Sequence, residues 1–349
     1  MKRSISIINT EIQLINVIEA IHHFECENNY LVIGQFNIRP ERIQKIEKML
    51  EEPLFRQPFK KIIHLPLYLS NKNPLRFIGY LLAYIKFFFL ILFSKKFDCC
   101  FLGVVTDIIV KPIVFLTQYK NPQCMLCVID EGVRVTADAN ERIKNAELIT
   151  LQNKKSPKLL YGYYQAITRK WLYPSLTYFS IFQPVLLPQD SLIPNRHVFF
   201  KSNKISNIQL SDNAIVIVGQ PFYELHITSL DVYQEIICHI VNHHSGKTVY
   251  YAPHPIETEY TKWLPQWVCI INSSYPLELI LINNHIDTLI GFSSTVLFNY
   301  AAMEPQKNTY SISLTKEEYL NPPTQDQITL FNQKLQQFGI HIVDSSFFL

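Results

Sequence analysis

Hydrophobic and polar positions follow two alternating periods along the first half of the chain. Short apolar runs, typical of buried strands, lie between longer stretches in which apolar residues recur at helical spacing. The strand-like runs cover residues 4–8, 30–36, 61–65, 98–104 and 125–130, and the clearest helical stretches cover 12–24 and 39–51. Strict alternation of this kind predicts βαβ units and a mostly parallel sheet.

A second alternating series begins near residue 213. It has strand-like runs at 214–218, 248–251, 268–271 and 288–290, and helical stretches at 229–242, 277–283 and 295–303. We therefore predict an α/β protein with two Rossmann-like domains that face a central cleft.

The stretch 184–194 contains three prolines and little periodicity, so it is expected to be the linker. This divides the chain into an acceptor-side domain at 1–187 and a nucleotide-sugar-binding domain at 196–349. The last helix is a candidate to pack back on the first domain.

Composition excludes several classes of protein. The 349 residues are 48% hydrophobic, which is enough for a large core, and the formal net charge of +3 is too small to favour nucleic acid as a partner. A basic cluster at 154–158 is either a solvated loop or a contact for an anionic surface. The seven cysteines favour free cytosolic thiols, and we expect Cys124 and Cys127, despite their C-x-x-C spacing, to be core residues.

Two apolar or aromatic segments have more than one interpretation. Residues 77–93 are nearly all apolar but contain Lys86 and are too short to span a bilayer, so they form either a buried helix or a helix in a membrane interface. The aromatic and basic stretch 159–171 carries the same two alternatives. Peripheral membrane contact is therefore an open expectation.

His254 stands between Pro253 and Pro255 at the end of the strand-like run 248–251. Each proline fixes its own φ and biases the residue before it away from helix, which predicts a stiff turn. Open α/β sheets bind ligands at the carboxyl ends of their strands. A histidine at this place either completes a turn or donates to a phosphate and exchanges a proton.

Three further groups of polar residues follow predicted strands. Asp130 and Glu131 precede Gly132, and a carboxylate there is either part of a turn or a general base. Ser293 and Ser294 open a helix, where they cap it or help to hold an anion. Glu278, in the first turn of another helix, either favours the helix dipole or accepts two ribose hydroxyls.

Taken together, these residues indicate an enzyme that transfers a group from a nucleotide donor. His254 and the helix start at Ser293 and Ser294 would hold a phosphate, Glu278 a pair of sugar hydroxyls, and Asp130 or Glu131 would be the base. The chain has neither the glycine-rich dinucleotide fingerprint nor a P-loop. Since no D-x-D motif lies near these elements, we expect the leaving phosphate to be neutralised without a metal ion and without a cofactor.

The ordered motifs resemble those of bacterial sialyltransferases. The resemblance is nearest to glycosyltransferase family 52, whose members act on lipooligosaccharide, and next to the bacterial polysialyltransferases. The motifs that carry it are Asp130-Glu131-Gly132, Gly219-Gln220-Pro221, His254-Pro255, Tyr275-Pro276-Leu277-Glu278 and Ser293-Ser294, with support from 13–19. They extend over nearly the whole chain.

The resemblance implies a GT-B fold and inverting, metal-independent transfer of sialic acid from CMP-sialic acid to a lipooligosaccharide or capsule glycan. It implies two catalytic residues: Asp130 is the base, and His254 binds or protonates the departing phosphate. It also implies that Ser293 and Ser294 hold that phosphate, that Glu278 binds the ribose, and that Gly219, Gln220 and Pro255 line the donor site. A location in the bacterial cytoplasm, at the inner face of the inner membrane, and a homodimer are further expectations. Another CMP-activated ulosonic acid as donor, or a non-catalytic glycan-assembly protein, are the alternatives.

One position departs from the family pattern. Some members of family 52 carry an acidic residue directly after the Gly-x-Pro motif, and this chain has Phe222 there. If the base comes from that loop, Glu224 is the nearest candidate and Asp130 has a structural role.

Overall fold

The computed structural model describes residues 1–34, 40–65, 74–103, 110–130, 132, 134–154, 174–203, 209–273 and 275–348. The chain divides into two compact units, Met1–Phe199 and Phe200–Leu349. Each unit is built around its own parallel sheet. The α/β class and the two Rossmann-like domains are therefore confirmed.

The first unit contains a seven-stranded sheet. Its strands are β1 (Lys2–Ile8), β2 (Cys26–Gly34), β3 (Phe59–Leu65), β4 (Cys99–Leu102), β5 (Met125–Ile129), β6 (Thr177–Ser180) and β7 (Ser191–Pro194). They pair in the order β3-β2-β1-β4-β5-β6-β7. Its helices are α1 (Glu11–His23), α2 (Pro40–Leu50), α3 (Pro53–Arg56), α4 (Pro74–Phe93), α5 (Val110–Lys120), α6 (Arg134–Lys154) and α7 (Val198–Ser202), which crosses into the second unit.

The second unit contains a six-stranded sheet. Its strands are β8 (Ile215–Val218), β9 (Val249–Ala252), β10 (Cys269–Ile270), β11 (Thr288–Gly291), β12 (Asn308–Ser313) and β13 (His341–Asp344). The order β10-β9-β8-β11-β12-β13 is the 3-2-1-4-5-6 order of dinucleotide-binding folds. Its helices are α8 (Leu230–His243), α9 (Tyr260–Trp263), α10 (Leu277–Ile282), α11 (Thr295–Met303) and α12 (Gln325–Gln337), followed by a 3-10 turn at Ser345–Phe348.

The central strands form because they are buried on both faces. All four residues of β8, Ile-Val-Ile-Val, are buried, which matches the continuous β-branched pattern of a parallel strand covered by helices. Helix α8 begins where the side chain of Ser229 accepts a hydrogen bond from the backbone N–H of Val232, at 3.3 Å. The core of this unit lies between the helices and the β8, β9 and β11 strands.

One expectation about the chain connections needs correction. The stretch 184–194 was expected to be an irregular linker, but its last four residues are β7, the edge strand of the first sheet. Proline is tolerated on an edge strand because its missing N–H leaves no ladder bond unmade there. The last helix is α12, and its packing on the first domain stays a prediction; in the 3-10 turn further on, Phe348 lies in the core of the second unit, beside His243.

The cysteines and the apolar segment have the following positions. All seven cysteines are free, and Cys124 and Cys127 are buried, as expected of core residues. The apolar segment 77–93 falls within helix α4, whose Phe87 and Ile91 are buried. None of the described helices combines the length and the apolar character needed to cross a membrane. The segments 155–158 and 159–171 lie outside the described residues.

Candidate active site

Three loops of the second unit begin at one level of its sheet. In the parallel register, Val218 pairs with both Ala252 and Gly291, so β9, β8 and β11 end side by side. The loops that follow are Gly219-Gln220-Pro221, Pro253-His254-Pro255 and Phe292-Ser293-Ser294. Strand order reverses between β8 and β11, which is the place where sheets of this type bind ligands. The structure therefore brings three of the predicted motifs together.

The turn that carries His254 is held at two points. The backbone N–H of His254 donates to Glu257 Oε2 at 2.5 Å, and the ring Nδ1 accepts from the backbone N–H of Ile256 at 3.3 Å. An acceptor at Nδ1 means that the neutral imidazole carries its proton on Nε2. His254 and Pro255 thus lie on a fixed turn, with the imidazole in the tautomer that can donate from Nε2 to an anion.

Glu257 is the centre of a buried network that the sequence analysis missed. Its Oε1 accepts from the hydroxyl of Tyr251 at 2.6 Å and from the hydroxyl of Tyr233 at 3.1 Å. Tyr233 in turn accepts from the backbone N–H of Gln220 at 2.8 Å. One carboxylate therefore ties the loop after β8 to the loop after β9.

Burial has an electrostatic consequence for Glu257. It raises the pKa of this carboxyl to about 7, although the hydrogen bonds from Tyr251, His254 and Tyr233 act in the opposite direction. Removal of a charge from water disfavours its ionised form more than these donors favour it. The protonation state of Glu257 consequently changes near neutral pH.

Gly219 is required by the space that Glu257 occupies. A Cβ at position 219 would lie 2.2 Å from Glu257 Oε2 and 2.6 Å from the hydroxyl oxygen of Tyr251. Contacts of this length are impossible without displacement of the carboxylate. The glycine of the Gly219-Gln220-Pro221 motif thus allows the network to form directly beneath the loop.

The loop after Pro221 explains the departure at Phe222. The Phe222 side chain is buried in the core, with its ring centroid 4.9 Å from that of Phe292. An acidic side chain there would be desolvated among aromatic rings. Glu224, the alternative base, is half-buried and accepts from the backbone N–H of Thr258 at 3.3 Å. Glu224 therefore has a structural contact that links the loop to the segment after Glu257.

Ser293 and Ser294 have different environments. Ser294 is buried and is the N-cap of α11, where its Oγ accepts from the backbone N–H of Val296 at 3.3 Å. Ser293 is exposed at the start of the same loop. Capping accounts for Ser294, so Ser293 and the N-terminal N–H groups of α11 are the better candidates to hold an anion.

Glu278 lies in the first turn of α10 and is buried. Its Oε1 accepts from the side-chain amide of Asn299 on α11 at 3.0 Å. This hydrogen bond connects the two helices that follow β10 and β11. Glu278 thus has a structural partner, and its role toward a ribose stays a prediction.

Asp130 belongs to the first unit, directly after β5, and is 2% exposed. Its Oδ2 accepts from the backbone N–H of Ile181 at 2.7 Å, while Oδ1 has no hydrogen-bond partner in the part of the chain that the structure describes. Burial raises the pKa of this carboxyl to about 7, against the opposing effect of hydrogen bonds from Ser180 and Ile181. A base poised near neutral pH is well suited to proton abstraction.

The backbone around Asp130 is fixed on both sides. Gly132 has a φ of 72°, a conformation that favours glycine and turns the chain sharply after the strand. The backbone carbonyl of Asp130 accepts from the side-chain amide of Asn16 on α1 at 3.1 Å, and Asn16 accepts from Asn195 at 3.0 Å. Glu131 lies outside the described residues. Among the residues that are described, no cluster of three or more His, Cys, Asp or Glu side chains is arranged to hold a metal ion.

Solved structures share this architecture along nearly the whole chain. The UDP-GlcNAc 2-epimerase of Neisseria meningitidis bound to UDP-GlcNAc matches 98% of this chain and 88% of its own, with a TM-score of 0.51 and 11% identity. The UDP-GlcNAc 2-epimerase of Methanocaldococcus jannaschii matches 99% and 89%, with a TM-score of 0.50 and 12% identity. LpCGTa in complex with UDP matches 98% and 84%, with a TM-score of 0.50 and 8% identity. At such identities the likeness shows the fold alone.

The two Rossmann-like domains, each with candidate residues at the carboxyl ends of its strands, have the GT-B fold. The family model for alpha-2,8-polysialyltransferase (POLYST) matches residues 119–313, which is more than half of the chain and includes every candidate site residue. The chain belongs to this alpha-2,8-polysialyltransferase family, and it is a glycosyltransferase of the sialyltransferase type.

The family match confirms the resemblance to bacterial sialyltransferases. It falls on the polysialyltransferase branch, which the motifs placed second after glycosyltransferase family 52. A comparison with curated protein sequences gave no significant match.

Proposed function

We propose that the protein transfers sialic acid from CMP-sialic acid to a cell-surface glycan, with inversion at the anomeric carbon and without a metal ion. The observation that carries the proposal is the common level of the three loops after β8, β9 and β11, since these loops bring His254 and Ser293 to one edge of the sheet. Those are the residue types needed around a nucleotide phosphate. The family match supports sialic acid as the transferred sugar.

The proposed step has a simple balance of atoms. An acceptor hydroxyl oxygen forms a bond to the anomeric carbon of sialic acid as the bond from that carbon to the CMP phosphate oxygen breaks. The hydroxyl proton goes to Asp130, and the bonding electrons leave with CMP. Asp130 Oδ1 supports this role because it has no partner among the described residues and can therefore accept the hydroxyl proton.

Negative charge that develops on the departing phosphate needs donors that are already in place. His254 can donate from Nε2, because its Nδ1 accepts from Ile256, and Ser293 and the start of α11 add further donors. Gly219, Gln220 and Pro255 shape the loops around the donor, and Glu278 would hold the ribose of cytidine. Glu224 is the weaker candidate for the base because its carboxylate already accepts from Thr258.

The proposed acceptors are galactose-terminated or sialylated glycans of the lipooligosaccharide or capsule type, presented at the inner face of the bacterial inner membrane. To test the proposal, the purified chain is incubated with CMP-sialic acid and either a lactoside or a sialylated oligosaccharide. We expect CMP release and a product heavier by one sialyl residue, both unchanged by EDTA. Activity abolished by EDTA would contradict the metal-independent mechanism.

A matched pair of variants tests the phosphate site. His254→Ala should lower kcat by about 10²-fold or more, since a positioned acid or donor supplies about 10²–10⁴-fold. His285→Ala, which removes an exposed histidine of the same unit, should leave the rate unchanged. CMP-activated Kdo and a CMP-activated legionaminic-type acid are tested as alternative donors. If the enzyme transfers only one of these sugars, that sugar and not sialic acid is its donor substrate. Absence of both transfer and donor hydrolysis with every donor would contradict the enzymatic assignment.

A further inference from the structure

The described apolar side chains of helix α4 are buried on one side of the helix and exposed on the other. Phe87 and Ile91 face the core of the first unit and are 3% and 0% exposed. On the opposite side, Leu82 is 60%, Phe89 48% and Phe93 80% exposed. Helical spacing places these three side chains on a single stripe, so α4 presents a continuous apolar face outward.

Helix α5 widens this face. Phe115 and Tyr119, one helical turn apart, are exposed, and their rings stack with centroids 6.2 Å apart. Lys120 on α5 donates to the backbone carbonyls of Ile91 and Leu92 at 2.8 and 2.7 Å, which fixes α5 against the end of α4. We call the exposed residues of both helices the α4–α5 surface; they are Leu82, Ile85, Lys86, Phe88, Phe89, Phe93, Phe115 and Tyr119.

The charges in these two segments all have one sign. Residues 74–97 and 110–120 contain six basic residues and no Asp or Glu. Because the formal net charge of the whole chain is only +3, the remainder of the chain is net acidic. Lys86 lies beside the apolar stripe, and Lys95 and Lys96 follow the end of α4; all three are exposed. Asp98, the nearest acidic residue in sequence, accepts from the backbone N–H of Arg3.

A surface of aromatic and aliphatic side chains with exposed lysines beside it matches the interface of an anionic membrane. Apolar side chains enter the boundary between headgroups and acyl chains, and lysines beside them bind anionic lipid. Exposed apolar patches of this kind mark an interaction site in a soluble domain. We propose that the α4–α5 surface docks the first unit on an anionic bilayer, with α4 lying in the plane of the interface.

This proposal does not depend on the donor or on the reaction, so its test needs no activity. The full chain is floated with phosphatidylcholine vesicles that contain either no anionic lipid or about a third phosphatidylglycerol. We expect the protein to float with the anionic vesicles at low salt and to bind neutral vesicles at least about tenfold less. High salt should weaken the binding because it screens the lysines.

Two sets of variants separate the apolar and the charged contributions. Leu82→Gln, Phe89→Gln and Phe93→Gln combined should lower the vesicle-bound fraction at least about tenfold, because these side chains supply the apolar contact. Lys86→Glu, Lys95→Glu and Lys96→Glu combined should abolish the preference for anionic lipid.

The control variants change the same residue types elsewhere. Val185, Val198 and Leu320 are exposed apolar residues outside this surface, and their combined change to Gln should leave flotation unchanged. Lys60→Glu, Lys61→Glu and Lys316→Glu control for total charge. The proposal is wrong if the wild-type chain stays with the soluble fraction at low salt. It is equally wrong if light scattering shows a dimer that the α4–α5 glutamine variant converts to a monomer, since a second copy would then cover the surface.

Discussion

Asp130 in the first unit and Glu257 in the second are both buried acidic residues, and each lies close to the C-terminal end of a parallel strand. Burial raises the pKa of each side chain to about 7. Their surroundings differ. Glu257 accepts from Tyr251, Tyr233 and the backbone of His254, whereas Asp130 Oδ1 is buried without a hydrogen-bond partner among the described residues. Similar pKa values can therefore belong to groups with different tasks.

Other polar groups at the carboxyl edges of the two sheets differ in the same way. In the first unit, Asn9 Oδ1 and Gln13 Nε2 are also buried without a hydrogen-bond partner among the described residues. In the second unit, the polar groups around Gly219 and His254 bond to one another. A saturated network positions loops, while unused hydrogen-bonding capacity is available for a substrate. We infer that Glu257 is a positioning residue and that Asp130 is the one that reacts.

Replacement of Asp130, the proposed base, should have the largest effect. Asp130→Asn keeps the size of the side chain but removes its basicity, so we expect kcat to fall by about 10²–10⁴-fold. In the wild type, kcat/KM should rise with pH through about 7 as Asp130 loses its proton. The measurement is CMP release against pH.

Glu141→Gln, on an exposed part of α6, is the matched control and should retain the wild-type rate and pH profile. If Asp130→Asn retained near-wild-type turnover while Glu224→Gln lost it, the base would be Glu224 and the contrast between the two units would have another cause.

Replacement of the positioning carboxyl should have an intermediate effect. In Glu257→Gln, the amide can still accept from Tyr251, but its NH₂ group faces the backbone N–H of His254, which loses its acceptor. We expect KM for the donor to rise by about 10–10²-fold, with a smaller change in kcat, since a buried donor without a partner costs about 1–3 kcal/mol. Initial rates at varied donor concentration separate the two constants.

Glu259→Gln is the control, because Glu259 pairs with Lys262 at the surface two residues further on. Gly219→Ala approaches the network from the other loop, since its Cβ would displace the Glu257 carboxylate, and it should reproduce the rise in KM. Gly246→Ala, with no atom within 4 Å of the added Cβ, should not. A loss of kcat at unchanged KM in both Glu257→Gln and Gly219→Ala would argue against a positioning role.

The last predicted effect is on stability, and it has an opposite dependence on pH. Because the folded-state pKa of Asp130 lies above its unfolded value, the folded protein binds this proton more tightly and loses stability as pH rises from about 4 to about 7. Asp130→Asn lacks this loss and should be more stable than the wild type at pH 8, by about 4 kcal/mol at most. At pH 4 we expect no such gain.

Thermal unfolding of both proteins at pH 4 and pH 8 measures the difference. If the wild type unfolds at a higher temperature than Asp130→Asn at pH 8, the Asp130 carboxylate is charged and its charge is compensated by neighbouring groups in the folded state. It would then resemble a structural carboxylate.

Local pattern was sufficient for much of this fold. Short β-branched, aromatic or aliphatic runs predicted β8, β9 and β11. Helix α11 has the predicted bounds, because its apolar run follows the serine cap. Strand β12 gave no such signal, since Thr309 and Ser311 are polar yet buried within it. The positions of Asp130 and His254 at strand ends were also predictable.

The partners of these two residues were not predictable. Ile181, which donates to Asp130, follows a short strand that no pattern marked. Glu257 has no motif of its own, and Tyr233 comes from helix α8, so their meeting depends on the pairing of β8 with β9. The sequence offered one hint of this network. Tyr233 and Tyr251 stand at core positions where a fully apolar residue would pack equally well, so their hydroxyls indicate a buried hydrogen-bond partner.

The tyrosine network also has a consequence for the energetics of ligand binding. The loops after β8 and β9 are already held by Tyr233, Tyr251 and Glu257, so a donor nucleotide should encounter them in their bound conformation. Association then carries little entropic cost of loop ordering and should approach the rate of a preformed site. Calorimetry of donor binding should therefore give a heat-capacity change no larger than the one expected from the surface buried between donor and protein.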